Sequence, residues 1–453
     1  MRPHFEKLSP DIKPGQAFRA FADNVSVAWL ESFPGFGSLG LFSILGINPY
    51  LSLRIWNDHC LVDGKPFAGD PFMFLADFLD KNRSQPLPGL PLAGGCIGAV
   101  AYDAGFALNS LPVPERAASG LLASFDFYDD FLIFDHVTGE NWQIACGRLR
   151  PAAESIAAVR QQILMSDDLD RSKQPEFGQL TRPGRDLYCE KVEYLRQQIR
   201  QGEVYIANLT HLFTVAGQIS APLLYDRLTA VIPAPFAAFL RQDDLEIMSA
   251  SPERLLRIGS DRQIETRPIK GTRPRGQDAE SDRALALELL NSGKDQAELL
   301  MITDLERNDL SKFCEDDSVR VSDLFALESY PAVHHLVSVI KGRLRPDISP
   351  VDAFLAMFPG GSITGAPKVA AMQIIDRLED RAREFYTGSL GYFSFDGQAD
   401  FNILIRSAFR HVDRLSYGAG GGITWESDPL DEYREMLLKA DAFCRIVEKD
   451  GEN

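Results

Sequence analysis

The sequence lacks the features that mark membrane-spanning, secreted and nucleotide-binding proteins. Its 453 residues contain no uncharged apolar run of 18 residues, and no basic segment followed by an apolar one opens the chain. We therefore expect neither a membrane span nor a secretion signal. Its glycine-rich segments match neither G-x-G-x-x-G nor G-x-x-x-x-G-K-[ST], so the usual phosphate-binding fingerprints are absent. The six cysteines show no C-x-x-C spacing, which favours reduced thiols in a cytoplasmic protein over disulfides or a zinc site.

Basic residues are also scarce. The 47 Lys and Arg residues stand against 64 Asp and Glu residues, a net charge of −17. This balance argues against a surface for nucleic acid or for an anionic membrane. An anionic substrate would need a local basic pocket or a metal ion. The hydrophobic content of 45% and charged content of 25% are ordinary for a globular protein.

The chain divides into two parts joined by a polar segment. Residues 1–165 are rich in β-formers between Gly, Pro and Asn clusters, which predicts a β-rich N-terminal subdomain. Residues 166–186 are polar and aperiodic, and we interpret them as a linker or mobile loop. Residues 187–453 mix strand-like segments with amphipathic helices, two of them predicted at 279–300 and 432–448. Strands outnumber β-α-β units, which favours an α+β fold with antiparallel sheets and outer helices.

One stretch is unusually rich in glycine and proline: Phe358-Pro-Gly-Gly-Ser-Ile-Thr-Gly-Ala-Pro-Lys368. Apolar residues at helical spacing follow it at once, so we predict a structured loop that leads onto a helix N-terminus. Such a place offers backbone N–H groups and a positive dipole end to an anion. Taken alone, the stretch is more simply a tight turn at a helix start.

Two polar residues of the second half could act in acid, base or nucleophilic chemistry. Glu253 follows a predicted strand beside a proline, where it is either a held general acid or base or an ordinary turn residue. Lys270 lies between Ile269 and Gly271, a tight and apolar setting. Such a lysine could lose its proton and become a nucleophile, or it could be a solvated lysine at a strand end.

Other polar residues could hold an anion or a metal ion. Glu298 stands among apolar residues on a predicted helix, where a carboxylate needs a cation. Glu432 and Glu435 share one helix face, a spacing that could supply Mg²⁺. Arg406 ends a β run, a position suited to bidentate capture of a carboxylate, and His335 is either a core residue or a catalyst. Physical reasoning thus indicates a Mg²⁺-dependent enzyme acting on a small anionic molecule.

Four motifs in this order resemble the chorismate-utilising enzymes. They are Arg267-Pro-Ile-Lys-Gly-Thr272, Asp304-Leu-Glu-Arg-Asn-Asp309, the 358–368 stretch and Ala419-Gly-Gly-Gly-Ile423. The family includes the large subunits of anthranilate synthase and aminodeoxychorismate synthase, and the isochorismate and salicylate synthases. The resemblance covers residues 186–445 and extends weakly toward the N-terminus. It implies a large antiparallel β-sandwich core with helices on the outside.

Within this family, one position separates the reactions. Between Pro-Ile and Gly-Thr, members that form anthranilate typically carry alanine, and members that aminate C4 of chorismate carry lysine; this chain has Lys270. The resemblance therefore implies conversion of chorismate and ammonia to 4-amino-4-deoxychorismate, on the way to 4-aminobenzoate and folate. Anthranilate synthesis, isochorismate or salicylate synthesis, and chorismate binding without catalysis are the alternatives.

The resemblance also implies a role for individual residues. Lys270 would form a covalent intermediate at C2 of chorismate, and Glu253 would be the general acid and base. Glu298 and Glu435 match the Mg²⁺ ligands of the family, with Glu432 nearby. The residues implied in substrate binding are Thr364, His335, Tyr386, Arg406, Gly420, Gly421, Gly422 and Lys368.

The sequence also indicates which partners and ligands the chain would need. No glutaminase motif is present, so ammonia would come from a separate glutamine amidotransferase subunit or from free ammonium. The segment that ends at Ser32 resembles the one where relatives hold tryptophan, as a regulator or as a structural ligand. Ser32 and Pro235 are the candidates for such a pocket. No nucleic acid or membrane partner is expected.

Overall fold

A computed structural model describes residues 3–117, 120–166, 176–411 and 414–448. Within these ranges the chain forms 22 β-strands and 11 α-helices. The strands are β1 (His4–Leu8), β2 (Ser26–Glu31), β3 (Phe42–Trp56), β4 (Cys60–Val62), β5 (Lys65–Pro66), β6 (Gly95–Val100), β7 (Leu121–Asp135), β8 (Asn141–Ala145), β9 (Glu176–Phe177), β10 (Ile206–Gln218), β11 (Phe236–Gln242), β12 (Leu245–Ser251), β13 (Arg254–Ile258), β14 (Gln263–Arg267), β15 (Ile269–Pro274), β16 (Arg320–Ser329), β17 (Val333–Arg343), β18 (Gly365–Ala366), β19 (Ser389–Ser394), β20 (Ala399–Asn402), β21 (Ser407–His411) and β22 (Arg414–Ile423).

The α-helices are α1 (Pro14–Phe21), α2 (Pro71–Lys81), α3 (Ala104–Leu108), α4 (Ala152–Met165), α5 (Arg185–Arg200), α6 (Ala221–Val231), α7 (Ala279–Leu290), α8 (Gly293–Ser311), α9 (Pro350–Met357), α10 (Lys368–Leu378) and α11 (Pro429–Glu448). In the described ranges, none of these helices has the length and apolarity needed to cross a membrane.

The strands form one extended antiparallel network, which confirms the predicted α+β fold. Among the described residues, every strand pairing is antiparallel, including the long pairs β3–β7 and β10–β22. Helices pack on the outside of this core: α11 lies against β22, α8 against β17 and α10 against β10. Strand β7 is buried along almost its whole length, because it pairs with β3, β6 and β8. Its near-continuous aromatic and apolar sequence fits that position.

Strands from the N-terminal part of the chain belong to the same network as those from the C-terminal part. Strand β2 pairs with β11, and β6 pairs with β19. The division into parts at 165 and 187 stays a prediction. Residues 167–175 of the predicted linker lie outside the described residues. Two other parts of that segment pair with β10: strand β9 pairs with its end, and Thr181 forms an isolated bridge to Thr214.

One predicted helix is wrong in its extent. The segment 279–300 is not one helix but the end-to-end pair α7 and α8, which breaks at Asn291 and Ser292. The Ser292 hydroxyl accepts a hydrogen bond from the backbone N–H of Asp295, 3.3 Å away, and so caps a new helix. Because α8 then continues to Ser311, the motif at 304–309 lies inside it. The buried side chains of Glu298 and Glu306 therefore share one helix.

The loop at 358–368 is structured and leads directly into α10, as predicted. It is buried from residue 358 to 365 and contains a short 3₁₀ turn, Gly361–Ile363. Its polar atoms have internal partners: the Thr364 hydroxyl donates to the Gly360 carbonyl at 2.8 Å, and the Asn208 N–H donates to the Thr364 carbonyl at 2.8 Å. The loop is therefore fixed against β10 before any ligand binds.

Candidate active site

Three elements meet at the side-chain amine of Lys270. Lys270 lies on β15, and its Nζ donates a hydrogen bond to the backbone carbonyl of Ser362, 3.1 Å away in the glycine-rich loop. Gly422 of β22 faces the same amine, because a Cβ at that position would lie 3.3 Å from the Lys270 Nζ. The structure thus gathers the separate motifs of the sequence around one lysine.

Glu253 lies next to this lysine in the fold. It stands between β12 and β13 with 4% of its surface exposed, and its Oε1 accepts a hydrogen bond from the N–H of Ile269 at 3.3 Å. Burial raises the pKa of Glu253, and the positive charge of Lys270 opposes that rise. A carboxyl group with a raised pKa next to an amine can both give and take a proton.

Two glutamates, Glu298 and Glu435, lie close enough to the Lys270 amine for its charge to act on their pKa, and Glu432 lies beside Glu435. Glu298 comes from α8, and Glu432 and Glu435 come from α11. Burial raises the pKa of Glu298, an effect that Lys270 opposes. Lys439, 2.6 Å away, lowers the pKa of Glu435, and Lys270 contributes to that lowering.

Two further lysines complete this cluster. The Lys294 Nζ lies 3.3 Å from Glu432 Oε1 and 4.0 Å from Glu298 Oε1. The Lys439 Nζ contacts Glu435 and also donates to the Gly420 carbonyl at 2.9 Å. Each carboxylate of the cluster therefore has a lysine ammonium as a neighbour.

The donor set fits Mg²⁺, although it is not a preformed three-ligand site. Within the described ranges, no three His, Cys, Asp or Glu side chains are gathered at metal-binding spacing. Yet Glu298 and Glu432 face one shared cation, the ammonium of Lys294. Mg²⁺ characteristically binds proteins through one or two carboxylates and keeps water or substrate oxygens as its other ligands. Two carboxylates that already share a cation meet that requirement.

Arg406 and Tyr386 lie where the backbone adopts uncommon conformations. Arg406 has φ of 53° between β20 and β21, and Glu384 and Thr387 on either side of Tyr386 have φ of 52° and 58°. Such left-handed non-glycine residues concentrate at functional sites. The Tyr386 ring packs on Gly418, where an added Cβ would lie 2.1 Å from the ring Cγ.

His335 is an uncharged neighbour of Arg406. It lies on β17, and a 2.9 Å hydrogen bond joins its Nδ1 to the Thr272 hydroxyl. Burial lowers the pKa of His335 to about 4, and the charge of Arg406 adds to the effect. At neutral pH its imidazole is therefore uncharged and can exchange hydrogen bonds without adding charge.

Two predicted substrate-binding residues have other partners. The Thr364 side chain is fully buried and its hydroxyl is bonded within the loop. The Lys368 Nζ lies 2.7 Å from Asp309 Oδ2 and donates to the Met357 carbonyl at 2.8 Å. Both side chains hold the loop in place in this structure, and their contact with substrate stays a prediction.

The three consecutive glycines of β22, Gly420 to Gly422, have different surroundings. A Cβ on Gly420 would lie 2.2 Å from the Leu209 carbonyl oxygen, so this glycine allows close packing of β22 on β10. A Cβ on Gly421 would lie 3.2 Å from Glu432 Oε2, beside the charged cluster. Gly421 and Gly422 therefore leave room at the carboxylates and at the amine, respectively.

Sequence reasoning missed three charged residues of the site: Lys294, Lys439 and Arg383. The first two were detectable, because Lys294 precedes Glu298 and Lys439 follows Glu435 by four residues on predicted helices. Arg383 lies outside any periodic segment. Its guanidinium pairs with Glu379 at 2.7 Å and donates a hydrogen bond to the Ile363 carbonyl at 2.9 Å, so it anchors the glycine-rich loop.

A separate cavity of about 340 Å³ lies between β2, β11 and β19. Ser32 and Pro235 both line it, and the Ser32 hydroxyl donates to the Pro235 carbonyl at 3.0 Å. The buried Arg254 forms part of its wall and is paired with Asp400 at 2.9 Å. The structure thus brings the two predicted pocket residues together, and tryptophan as the occupant stays a prediction.

These features define an α+β protein with a charged site at a glycine-rich strand. Residues 28–445 match the family model of chorismate binding enzymes, and the chain belongs to that family. It is 42% identical to an aminodeoxychorismate synthase of Streptomyces pristinaespiralis over 372 residues, 79% of this chain and 52% of the relative. It is 38% identical to aminodeoxychorismate synthase component 1 of Salmonella typhimurium over 371 residues, 80% of this chain and 79% of the relative.

An anthranilate-forming relative is similarly close. Anthranilate synthase component 1 1 of Haloarcula marismortui is 36% identical over 412 residues, 85% of this chain and 82% of the relative. The crystal structure of anthranilate synthase component I from Streptococcus pneumoniae has a TM-score of 0.79 at 31% identity and covers 91% of this chain and 93% of that one. The chain spans 52% of the length of the Streptomyces pristinaespiralis relative, and 60% of the length of an aminodeoxychorismate synthase of Streptomyces griseus to which it is 39% identical. Family membership is therefore shown, and similarity alone does not fix the product.

Proposed function

We propose that this chain converts chorismate and ammonia to 4-amino-4-deoxychorismate, the precursor of 4-aminobenzoate in folate synthesis. The observation that carries this proposal is the position of Lys270. Its amine contacts the glycine-rich loop and faces Gly422, and the carboxylates of Glu253, Glu298 and Glu435 lie near it. Family members that form anthranilate typically have alanine here, and alanine has no nucleophile.

The proposed reaction proceeds in two displacements through a covalent intermediate. The Lys270 ammonium first gives a proton to the Glu253 carboxylate; the neutral amine then forms a bond to C2 of chorismate, the ring double bond shifts, and the C4–O bond breaks. Glu253 gives a proton to the leaving hydroxyl, which departs as water. Ammonia then bonds to C4, the double bond shifts back, and the C2–N bond to Lys270 breaks. Glu253 takes up the proton that the incoming nitrogen loses, and the raised pKa of its buried carboxyl suits both steps.

Binding of the dianionic substrate would need several positive groups. Arg406 is the candidate for one carboxylate, together with the Tyr386 hydroxyl. Glu298 and Glu435, with Glu432 beside them, would hold Mg²⁺, which when bound would offset the charge of a second carboxylate. The uncharged His335 would contribute a hydrogen bond at the same face.

We further propose that ammonia comes from a glutamine amidotransferase subunit. The word "component 1" in the names of relatives supports a partner of this kind. For the 340 Å³ cavity, we propose an aromatic amino acid, tryptophan, as the ligand, because the apolar part of its lining could hold the ring, and the Ser32 hydroxyl and Pro235 carbonyl could hold the amino group.

The reaction is tested by product analysis. The purified chain is supplied with chorismate, MgCl₂ and an ammonium salt, and the products are separated by liquid chromatography with fluorescence detection. We expect a non-fluorescent product that gives 4-aminobenzoate only after a lyase is added. Fluorescent anthranilate would instead establish the second candidate, which the similarity to the Haloarcula enzyme favours. Turnover without ammonium would indicate isochorismate or salicylate formation, and binding without turnover a non-catalytic protein.

A further inference from the structure

The carboxylates of Glu298, Glu432 and Glu435 have lysine neighbours before any ligand binds. The Lys294 Nζ lies within 4.0 Å of Glu298 and of Glu432, and the Lys439 Nζ lies 2.6 Å from Glu435. A divalent cation that binds these carboxylates must therefore compete with lysines that already neutralise them.

Lys294 is the lysine that stands between two carboxylates. Its Nζ lies 3.3 Å from Glu432 Oε1 and 4.0 Å from Glu298 Oε1. The ammonium of Lys294 is therefore the cation that these two carboxylates share in the metal-free protein.

The two carboxylates are fixed, and the lysine is free to leave. Glu432 is 4% exposed and accepts a hydrogen bond from the Ser427 hydroxyl at 2.7 Å, and Glu298 is 7% exposed. Lys294 lies in the first turn of α8 with 44% of its side chain exposed. Its flexible four-carbon stem can carry the ammonium into solvent without any movement of the backbone.

We propose that Lys294 is a built-in competitor of the metal ion: its ammonium occupies a cation position on Glu298, one of the two proposed Mg²⁺ ligands, and on the neighbouring Glu432, and it must swing out before Mg²⁺ can bind there. In the metal-free protein the ammonium prevents repulsion between two buried carboxylates. Its presence also weakens metal binding, because the ion must displace a charge that is already paired. This inference rests on the proposed function, since it takes Mg²⁺ as the metal.

The test compares the binding of Mg²⁺ alone to wild-type protein and to Lys294→Met, which keeps an unbranched apolar stem and removes the charge. Isothermal titration with MgCl₂, without chorismate, measures the affinity. We expect the variant to bind Mg²⁺ more tightly, by on the order of tenfold, because a competing charge is removed. Thermal unfolding should show a lower Tm for the metal-free variant and a larger rise in Tm on adding MgCl₂.

Two further variants serve as controls. Lys312→Met removes the lysine at the other end of α8, which pairs with Asp309, and should leave the Mg²⁺ affinity unchanged. Lys294→Arg keeps a positive charge and should bind Mg²⁺ no more tightly than wild type. It also keeps the test valid if Lys294→Met fails to fold, because a tenfold gain in the Arg variant would contradict competition by charge.

The outcomes separate the two proposals. If wild type binds Mg²⁺ and Lys294→Met binds it equally or more weakly, the competitor role is wrong while the metal proposal stands. If wild type and both Lys294 variants fail to bind Mg²⁺ at millimolar concentration, the metal part of the proposed function is wrong, and the competitor role with it.

Discussion

The side-chain amine of Lys270 donates a hydrogen bond to the backbone carbonyl of Ser362, with 3.1 Å between nitrogen and oxygen. This contact joins the residue that distinguishes the proposed reaction to the buried glycine-rich loop. The loop that carries Ser362 is itself held by Arg383 through the Ile363 carbonyl. Contacts of the loop therefore help to set the position of the amine.

Replacement of Lys270 by alanine is the most direct test of the covalent step. We expect Lys270→Ala to form 4-amino-4-deoxychorismate at least about 100-fold more slowly, because general catalysis by the remaining groups does not replace a nucleophile. The rate is measured by coupling to a lyase and detecting 4-aminobenzoate. Lys270→Arg is the matched control for charge: it keeps the cation near Glu298 but should be equally inactive. Full-rate amination at C4 by either variant, with no shift to C2 products, would show the covalent mechanism to be wrong.

The absence of a side chain at Gly422 should be needed for the Lys270 amine to move during the reaction. A methyl group at this position would lie 3.3 Å from the Lys270 Nζ and 3.0 Å from the Ile206 Cδ1, both at the ends of flexible side chains. Gly422→Ala should therefore fold, with a Tm within a few degrees of wild type, but lose on the order of tenfold in kcat. Gly420→Ala is the contrasting variant, since its methyl would lie 2.2 Å from a backbone oxygen of β10 and should destabilise the sheet. A normal kcat in Gly422→Ala would contradict this account.

Local pattern was enough to predict the antiparallel core and the start of α10 after the glycine-rich loop. These features depend on periodicity and turn chemistry within a short window. The break between α7 and α8 was missed because one serine cap outweighs a continuous apolar pattern.

In the candidate site, too, contacts between residues that are distant in sequence could not be predicted. The resemblance located Lys270, Glu253 and Glu298, and the structure brings them together. The partner of Lys368 could not be predicted, because Asp309 lies far away in sequence and only the packing of α8 against the loop brings them into contact. The setting of Lys270 also differs from the apolar one that its neighbours in sequence indicate, since carboxylates from α8 and α11 lie near its amine.

Asp309 pairs with two lysines that should differ greatly in their contribution to stability. Lys368 is 8% exposed and lies 2.7 Å from Oδ2, whereas Lys312 is 56% exposed and lies 2.7 Å from Oδ1. Lys368→Met should lower the free energy of unfolding by about 3–5 kcal/mol, because it leaves a buried carboxylate without its buried partner. Lys312→Met should cost less than about 1 kcal/mol. Denaturant unfolding of both variants measures the difference, and equal losses would contradict the assignment of Lys368 as the buried partner.

His335 should make stability depend on pH in the acidic range. Burial places its pKa at about 4 in the folded protein, below the ordinary 6.5 of the unfolded chain. Between these values the unfolded state binds the extra proton, so this contribution to stability is complete above pH 6.5 and is lost as the pH falls toward 4, by about 1.4 kcal/mol per pH unit. His335→Gln should therefore lose stability less steeply between pH 6.5 and 4 in denaturant unfolding. His211, whose pKa burial also lowers to about 4, is the matched site: His211→Gln should flatten the slope by itself, and the two effects should add, because the residues lie on different strands. An unchanged slope in His335→Gln would mean that the imidazole is not buried in its neutral form.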